Sequence, residues 1–140
     1  MKEIVTVTGP IAPEELGFCQ CHEHIAMSKG KSWYLNPALR IDDMAKSLEE
    51  VRRYKSCGGD SFIDAQPCGC NRMAEELRKL SVKSGVHIIA STGFHKLCFY
   101  PDSHWIHSIS EAELEEVFVR ELTTGMYTDA DCTYPSVQSS

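Results

Sequence analysis

The chain has 140 residues, of which 42% are hydrophobic, and it carries a formal net charge of −6. This length and composition are typical of one soluble globular domain with its own core. No Lys/Arg cluster stands clear of nearby acidic residues, and no stretch approaches the roughly 20 apolar residues of a membrane span, so the sequence predicts neither a nucleic-acid nor a membrane partner.

The cysteines indicate the cellular compartment in which the protein is expected to reside. The seven cysteines occur without a recognisable signal peptide, which predicts free thiols and a cytoplasmic location. A small zinc site could use Cys21, His24, Cys68 and Cys70. Structural zinc sites usually place about two to four residues between paired cysteines, so the Cys-x-Cys spacing fits poorly. Buried thiols acting as small apolar side chains are the simpler interpretation.

Strands and helices alternate along the chain after a short N-terminal hairpin. Residues 3–8 alternate and are rich in β-branched side chains, which predicts a strand ending at Gly9-Pro10. Three predicted strand–helix pairs follow: 18–25 with a helix from Asp42 or Asp43 to Gly58, 60–66 with 71–85, and 86–92 with 110–125. This order predicts an α/β fold with a parallel sheet. Residues 126–140 show no periodic pattern and are expected to form an irregular tail.

The second predicted strand, 18–25, carries His22-Glu23-His24 near its end. Because side chains alternate between the faces of a strand, both imidazoles are expected on one side and the Glu23 carboxylate on the other. Two neighbouring imidazoles can bind one divalent ion such as zinc. The same pattern also suits two histidines hydrogen-bonded locally at a strand end.

Topology brings the candidate residues together. Functional groups of parallel β/α proteins gather at the carboxyl ends of the strands, where the loops 26–41, 67–70 and 93–107 also leave the sheet. We therefore expect the histidine pair, the loop with Trp33 and Tyr34, and the loop with His95 to meet at one cleft.

Several motifs resemble the phosphotriesterase-like family of the amidohydrolase superfamily. The resemblance runs over about residues 4–125. It rests on Thr8-Gly9-Pro10-Ile11, Glu15-Leu16-Gly17-Phe18, His22-Glu23-His24, Ile63-Asp64, Gly85-Val86-His87-Ile88-Ile89-Ala90 and Thr92-Gly93-Phe94. The His-x-His pair is common alone, and its place between the Gly-Pro-Ile hairpin and the later Thr-Gly is more specific.

The resemblance implies a (β/α)8 barrel of the TIM type with two divalent metal ions, usually zinc. His22 and His24 would bind the more buried ion. A carboxylated lysine or a glutamate, two further histidines and an aspartate would complete the site, and a metal-bridging hydroxide would hydrolyse a small ester, lactone or phosphoester. The resemblance places His95 in the substrate wall, and Tyr100 and Asp102 are further substrate-contact candidates.

The chain departs from that pattern in size. A complete barrel needs about 250 residues and eight β–α units, whereas three units are recognisable here. We therefore expect residues 1–125 to be the N-terminal portion of an incomplete barrel, inactive alone, with no catalytic residue beyond the metal ligands assignable. The outer edge of the third barrel strand is expected to be unpaired.

Two alternatives stay open from the sequence. The first is a non-catalytic truncated barrel that forms a homo-oligomer or pairs with the missing part of the barrel. The second is the small Cys/His zinc module described above.

Overall fold

The computed structural model describes residues 2–127. These residues form five strands and four α-helices, with 3-10 turns at 13–16, 97–99 and 105–107. Three helices follow the strands as predicted, and the short fourth one, Lys31–Leu35, lies within the segment 26–41 that was expected to be a loop. The elements are β1 (Ile4–Thr6), β2 (Gly9–Ile11), β3 (Cys19–Glu23), α1 (Lys31–Leu35), α2 (Met44–Ser56), β4 (Ser61–Asp64), α3 (Ala74–Ser84), β5 (His87–Ala90) and α4 (Glu111–Thr123).

A parallel sheet of order β3-β4-β5 carries the fold. Ser61 to Asp64 pair in register with His87 to Ala90, and Cys19 pairs with Ser61. Because all three strands run the same way, their carboxyl ends lie along one edge. This arrangement confirms the α/β fold expected from the alternation of the sequence.

One apolar cluster joins helices α2 and α3 to the sheet. Its buried members are Ala26, Val51, Phe62, Leu77, Leu80, Val86 and Ile88. Met44 and Leu48 of α2 pack against it, as their helical spacing indicates. Each large aliphatic side chain buried in this way contributes about 1.5–3 kcal/mol relative to an exposed position.

The helix boundaries follow local chemistry in most places. The Asp43 carboxylate accepts from the Lys46 backbone N–H at the start of α2, and Ser110 and Glu113 form a capping box at α4. Gly85 ends α3 in the left-handed conformation. Helix α3 was predicted to begin at Asn71, but it begins after Met73. Asn71 lies outside the helix, with a φ of 64°, and donates its side-chain amide to Ser32 Oγ.

The N-terminal hairpin covers part of a sheet edge. Strand β1 ends at Thr6, and Gly9-Pro10 belongs to β2 rather than breaking the strand. Gly9 adopts a φ of 119°, which glycine accommodates readily. In the turn, the Val7 N–H donates to the Ile88 carbonyl over 2.9 Å. The outer edge of β5, expected to be unpaired, is therefore partly protected.

A second apolar cluster lies beside the loop that follows β5. Cys68, Val117 and Tyr127 are buried there, with Phe94 and Trp105 packed against them. Cys68 is disulfide-bonded, so the expectation of free thiols is wrong for this residue. Sequence spacing could not reveal the bond, because the fold creates the contact. Cys19, Cys21, Cys57, Cys70 and Cys98 are free.

Arg72 and Glu121 form a buried ion pair close to the carboxyl end of β5. Their side chains are 2% and 0% exposed. Arg72 also donates to the carbonyls of Ser91 and Tyr127, and the Tyr127 N–H donates to Glu121. The pair thus joins α4 to the end of β5 and holds Tyr127 in place. The rest of the expected tail, 128–140, lies outside the described residues.

The helices of residues 2–127 are too short or too polar to span a bilayer.

We expect Glu121→Ala to lower the free energy of unfolding by about 3–5 kcal/mol, because it leaves the Arg72 guanidinium buried and unpaired. Urea unfolding followed by circular dichroism measures this change. Glu115→Ala, on the exposed face of the same helix, is the matched control and should leave the midpoint unchanged. Equal effects of the two substitutions would show that the buried pair does not hold α4.

Candidate metal and substrate cleft

A cleft of about 430 Å³ opens at the carboxyl ends of the strands. It is lined by His22, His24, Ala65, Pro67, Thr92, Gly93, Phe94, His95 and Lys96. The structure thus brings the histidine pair together with His95, as the topology predicted. Trp33 and Tyr34 are not among the lining residues. The Lys29 ammonium instead lies 4.1 Å from the Trp33 ring centroid.

A bulge in β3 sets the orientation of the histidine pair. Gln20 pairs with Phe62 and Glu23 with Asp64, so three steps along β3 match two along β4. Gln20 and Glu23 consequently share the side facing α2, where their side chains are hydrogen-bonded to each other. His22 and His24 line the cleft.

The two imidazole rings lie close enough to share one cation. Their centroids are 5.1 Å apart and their planes are inclined by 77°. A tetrahedral zinc ion about 2.0–2.1 Å from one nitrogen of each ring would place the centroids roughly 5 Å apart. His24 Nδ1 is buried without a hydrogen-bond partner, which is unusual for a buried polar atom. The pair therefore fits a divalent metal.

The rest of a metal site is not present in the described part of the chain. Within 2–127 there is no group of three or more His, Cys, Asp or Glu side chains arranged to hold a metal ion. The Cys/His module is disfavoured, because the disulfide-bonded sulfur of Cys68 is not a thiolate ligand. Burial also raises the pKa of the Cys70 thiol, which works against a metal-binding thiolate there.

A buried carboxyl group supports the rim. Asp64 is wholly buried and accepts the backbone N–H groups of Ile25 at 3.0 Å and Gln66 at 3.1 Å. Burial raises its pKa, and the two backbone donors oppose that shift only in part. Asp64 thus fixes the chain just after His24. Sequence reasoning noticed Asp64 only as part of a family motif and did not foresee this role.

His95 is held in a defined orientation at the cleft. The Lys96 backbone N–H donates to its Nδ1 over 2.7 Å, and the Phe99 ring packs edge-on with a centroid distance of 4.3 Å. Partial burial lowers the pKa of His95, and Lys96 and His24 lower it further. The position of His95 makes contact with a bound substrate geometrically feasible, and its role there stays a prediction.

The other two substrate-contact candidates lie away from the lining. Tyr100 is wholly buried, and its hydroxyl accepts the His95 N–H at 2.8 Å and donates to the Cys68 carbonyl at 3.1 Å. It therefore ties the loop after β5 to the loop after β4. Asp102 is exposed and forms an ion pair with Lys31 at 3.0 Å.

Comparisons with known proteins identify the class. The sequence profile described as Phosphotriesterase family matches residues 2–133. The chain belongs to the phosphotriesterase family.

Its relatives include hydrolases of more than one kind. A phospho-furanose lactonase of Mycoplasmopsis agalactiae is 27% identical over 89% of this chain and 36% of its own. An N-acetyltaurine hydrolase of Tetraodon nigroviridis is 28% identical over 93% of this chain and 45% of its own. The crystal structure of an amidohydrolase from Mycoplasma synoviae superimposes with a TM-score of 0.85 and 27% identity, over 99% of this chain and 40% of that one. The chain thus spans less than half the length of these proteins.

Burial raises the pKa of Tyr100 to about 12. The pKa of tyrosine in an unfolded chain is about 10. The contribution of the protonated Tyr100 hydroxyl to the free energy of unfolding is therefore complete below about pH 10 and is lost as the pH rises toward 12. We expect Tyr100→Phe to cost about 1–2 kcal/mol near neutral pH, and its difference from wild type to shrink between about pH 10 and 12. Urea unfolding at several pH values tests this, with the exposed Tyr34→Phe as control. A difference that stays constant over this range would contradict the assignment.

Proposed function

We propose that the chain is part of a metal-dependent hydrolase that cleaves a small ester, lactone or phosphoester. The observation that carries this proposal is the His22/His24 pair, with its rings 5.1 Å apart at the carboxyl rim of a parallel sheet, in a member of the phosphotriesterase family. The cleft beside the pair is large enough for a small substrate. In this proposal residues 1–125 are a portion of a (β/α)8 barrel.

His22 and His24 would hold the cation, with zinc the expected ion. A bound divalent metal supplies a water of lowered pKa and stabilises the oxyanion that develops in hydrolysis. Asp64 fixes the backbone after His24 through the Ile25 N–H, and Phe94 contributes an apolar wall. These residues position the pair and limit the access of bulk water from one side.

The relatives support the reaction class and leave the substrate open. The relatives include a phospho-furanose lactonase and an N-acetyltaurine hydrolase, whose names denote hydrolysis of different bonds. Both names describe hydrolysis of a small molecule. We extend only that class to this chain, since it spans less than half of either relative.

We expect the metal-free protein to bind one zinc ion weakly, because two imidazoles form an incomplete set of ligands. His22→Ala and His24→Ala should each weaken binding by at least about tenfold, measured by isothermal titration calorimetry. His87→Ala, at the opposite end of the sheet, is the matched control and should bind as wild type does. Unchanged binding in both cleft variants together with loss in Cys70→Ala would support a Cys/His site instead.

Hydrolysis is the second test. Assays of esters, lactones and phosphoesters with added zinc or manganese should give a low rate, because the described residues supply only two ligands. That rate should fall to background in His22→Asn. A rate that survives this substitution would assign the activity to another site. Zinc binding without any turnover would favour the alternative of a non-catalytic interaction unit.

A further inference from the structure

We propose that Thr92, His95 and Lys96 form an oxyanion subsite that binds a phosphate or carboxylate group of the substrate. This inference rests on the proposed function in one respect, namely that the cleft is where substrate binds. It adds the chemical class of that substrate, which is anionic. The three residues follow β5 within one short segment and all line the cleft.

The charge of the cleft points to an anion. The positive charge in the lining is the ammonium of Lys96, and the lining contains no Asp or Glu side chain. Within the described range, no carboxylate forms an ion pair with Lys96, whereas the nearby Lys31 is paired with Asp102. An ammonium left free beside a cleft is a ready partner for phosphate or carboxylate.

The hydrogen bonding of His95 makes its ring a donor. Because Nδ1 accepts the Lys96 N–H, the proton of the neutral imidazole must be on Nε2. The edge-on contact with Phe99 restricts rotation of the ring. The lowered pKa of His95 is consistent with this neutral form. His95 thus presents one fixed N–H.

Thr92 adds an unused hydroxyl. Its Oγ1 is buried and has no hydrogen-bond partner in the described structure. A buried hydroxyl without a partner carries a desolvation cost, which a ligand oxygen would relieve. A neutral N–H, an O–H and an ammonium on one segment are all donors that can bind the oxygens of a phosphate or carboxylate group.

The test is a titration of chelator-treated, metal-free protein with inorganic phosphate at constant ionic strength, followed by ¹⁵N NMR. We expect His95 to show the Nε2–H tautomer before phosphate is added, and we expect saturable shifts at the His95 ring and the Lys96 amide. Lys96→Gln should weaken binding on the order of fivefold, while Lys83→Gln, on an exposed part of α3, should not change it.

Two further variants separate a binding role from a structural one. Thr92→Val should weaken phosphate binding without lowering the free energy of unfolding, because it removes a hydroxyl that has no partner in the fold. His95→Gln, which keeps an N–H donor, should retain more affinity than His95→Phe. A parallel titration with acetate shows whether the subsite prefers phosphate or a carboxylate.

No saturable shift with either anion would overturn the proposal, as would equal affinities of the Lys96→Gln and Lys83→Gln variants. Failure here is distinguishable from failure of the proposed function, because no metal is present in this titration. Phosphate binding without zinc binding at His22 and His24 would keep the subsite and reject the metal-dependent hydrolase. Zinc binding at His22 and His24 without anion binding would keep the metal-dependent hydrolase and reject the subsite.

Discussion

The parallel pairing of β3, β4 and β5 is the constraint on which the rest of the structure depends. In-register pairing of β4 with β5 places residues after Asp64 and after Ala90 along the same rim as His24. A single cleft can then be lined by residues that lie some seventy positions apart, such as His22 and His95. The apolar cluster under α2 and α3 stabilises this pairing, and the Val7 N–H covers part of the outer edge of β5.

Around that rim, the structure uses buried polar contacts to fix loops. Asp64 holds the backbone after the histidine pair, and Tyr100 links the loop after β5 to the loop after β4. Arg72 and Glu121 join helix α4 to the end of β5. Each contact buries a polar group whose loss would leave a partner unsatisfied, so the loops that line the cleft are held more firmly than exposed loops usually are.

Periodicity and local chemistry made much of this fold predictable. Apart from helix α1, the strand–helix order follows from periodicity, and the caps at Asp43 and Ser110 follow from residue type. Alternation along a strand predicted that His22 and His24 share a face, and both line the cleft. Contacts between distant segments did not: neither the disulfide at Cys68 nor the pairing of Arg72 with Glu121 leaves a pattern in the sequence.

Sequence patterns also predicted the lining of the cleft only in part. His95 lines the cleft because its loop leaves the carboxyl rim, and its contact with substrate stays a prediction. Tyr100 is five residues further on and is buried in the core.

The most direct test of the central claim is an anomalous-difference map from a crystal of the protein soaked in zinc. We expect one peak about 2.0–2.1 Å from a nitrogen of both His22 and His24. A zinc peak bound by cysteine sulfur, or none between these two rings in a crystal that takes up zinc, would contradict it.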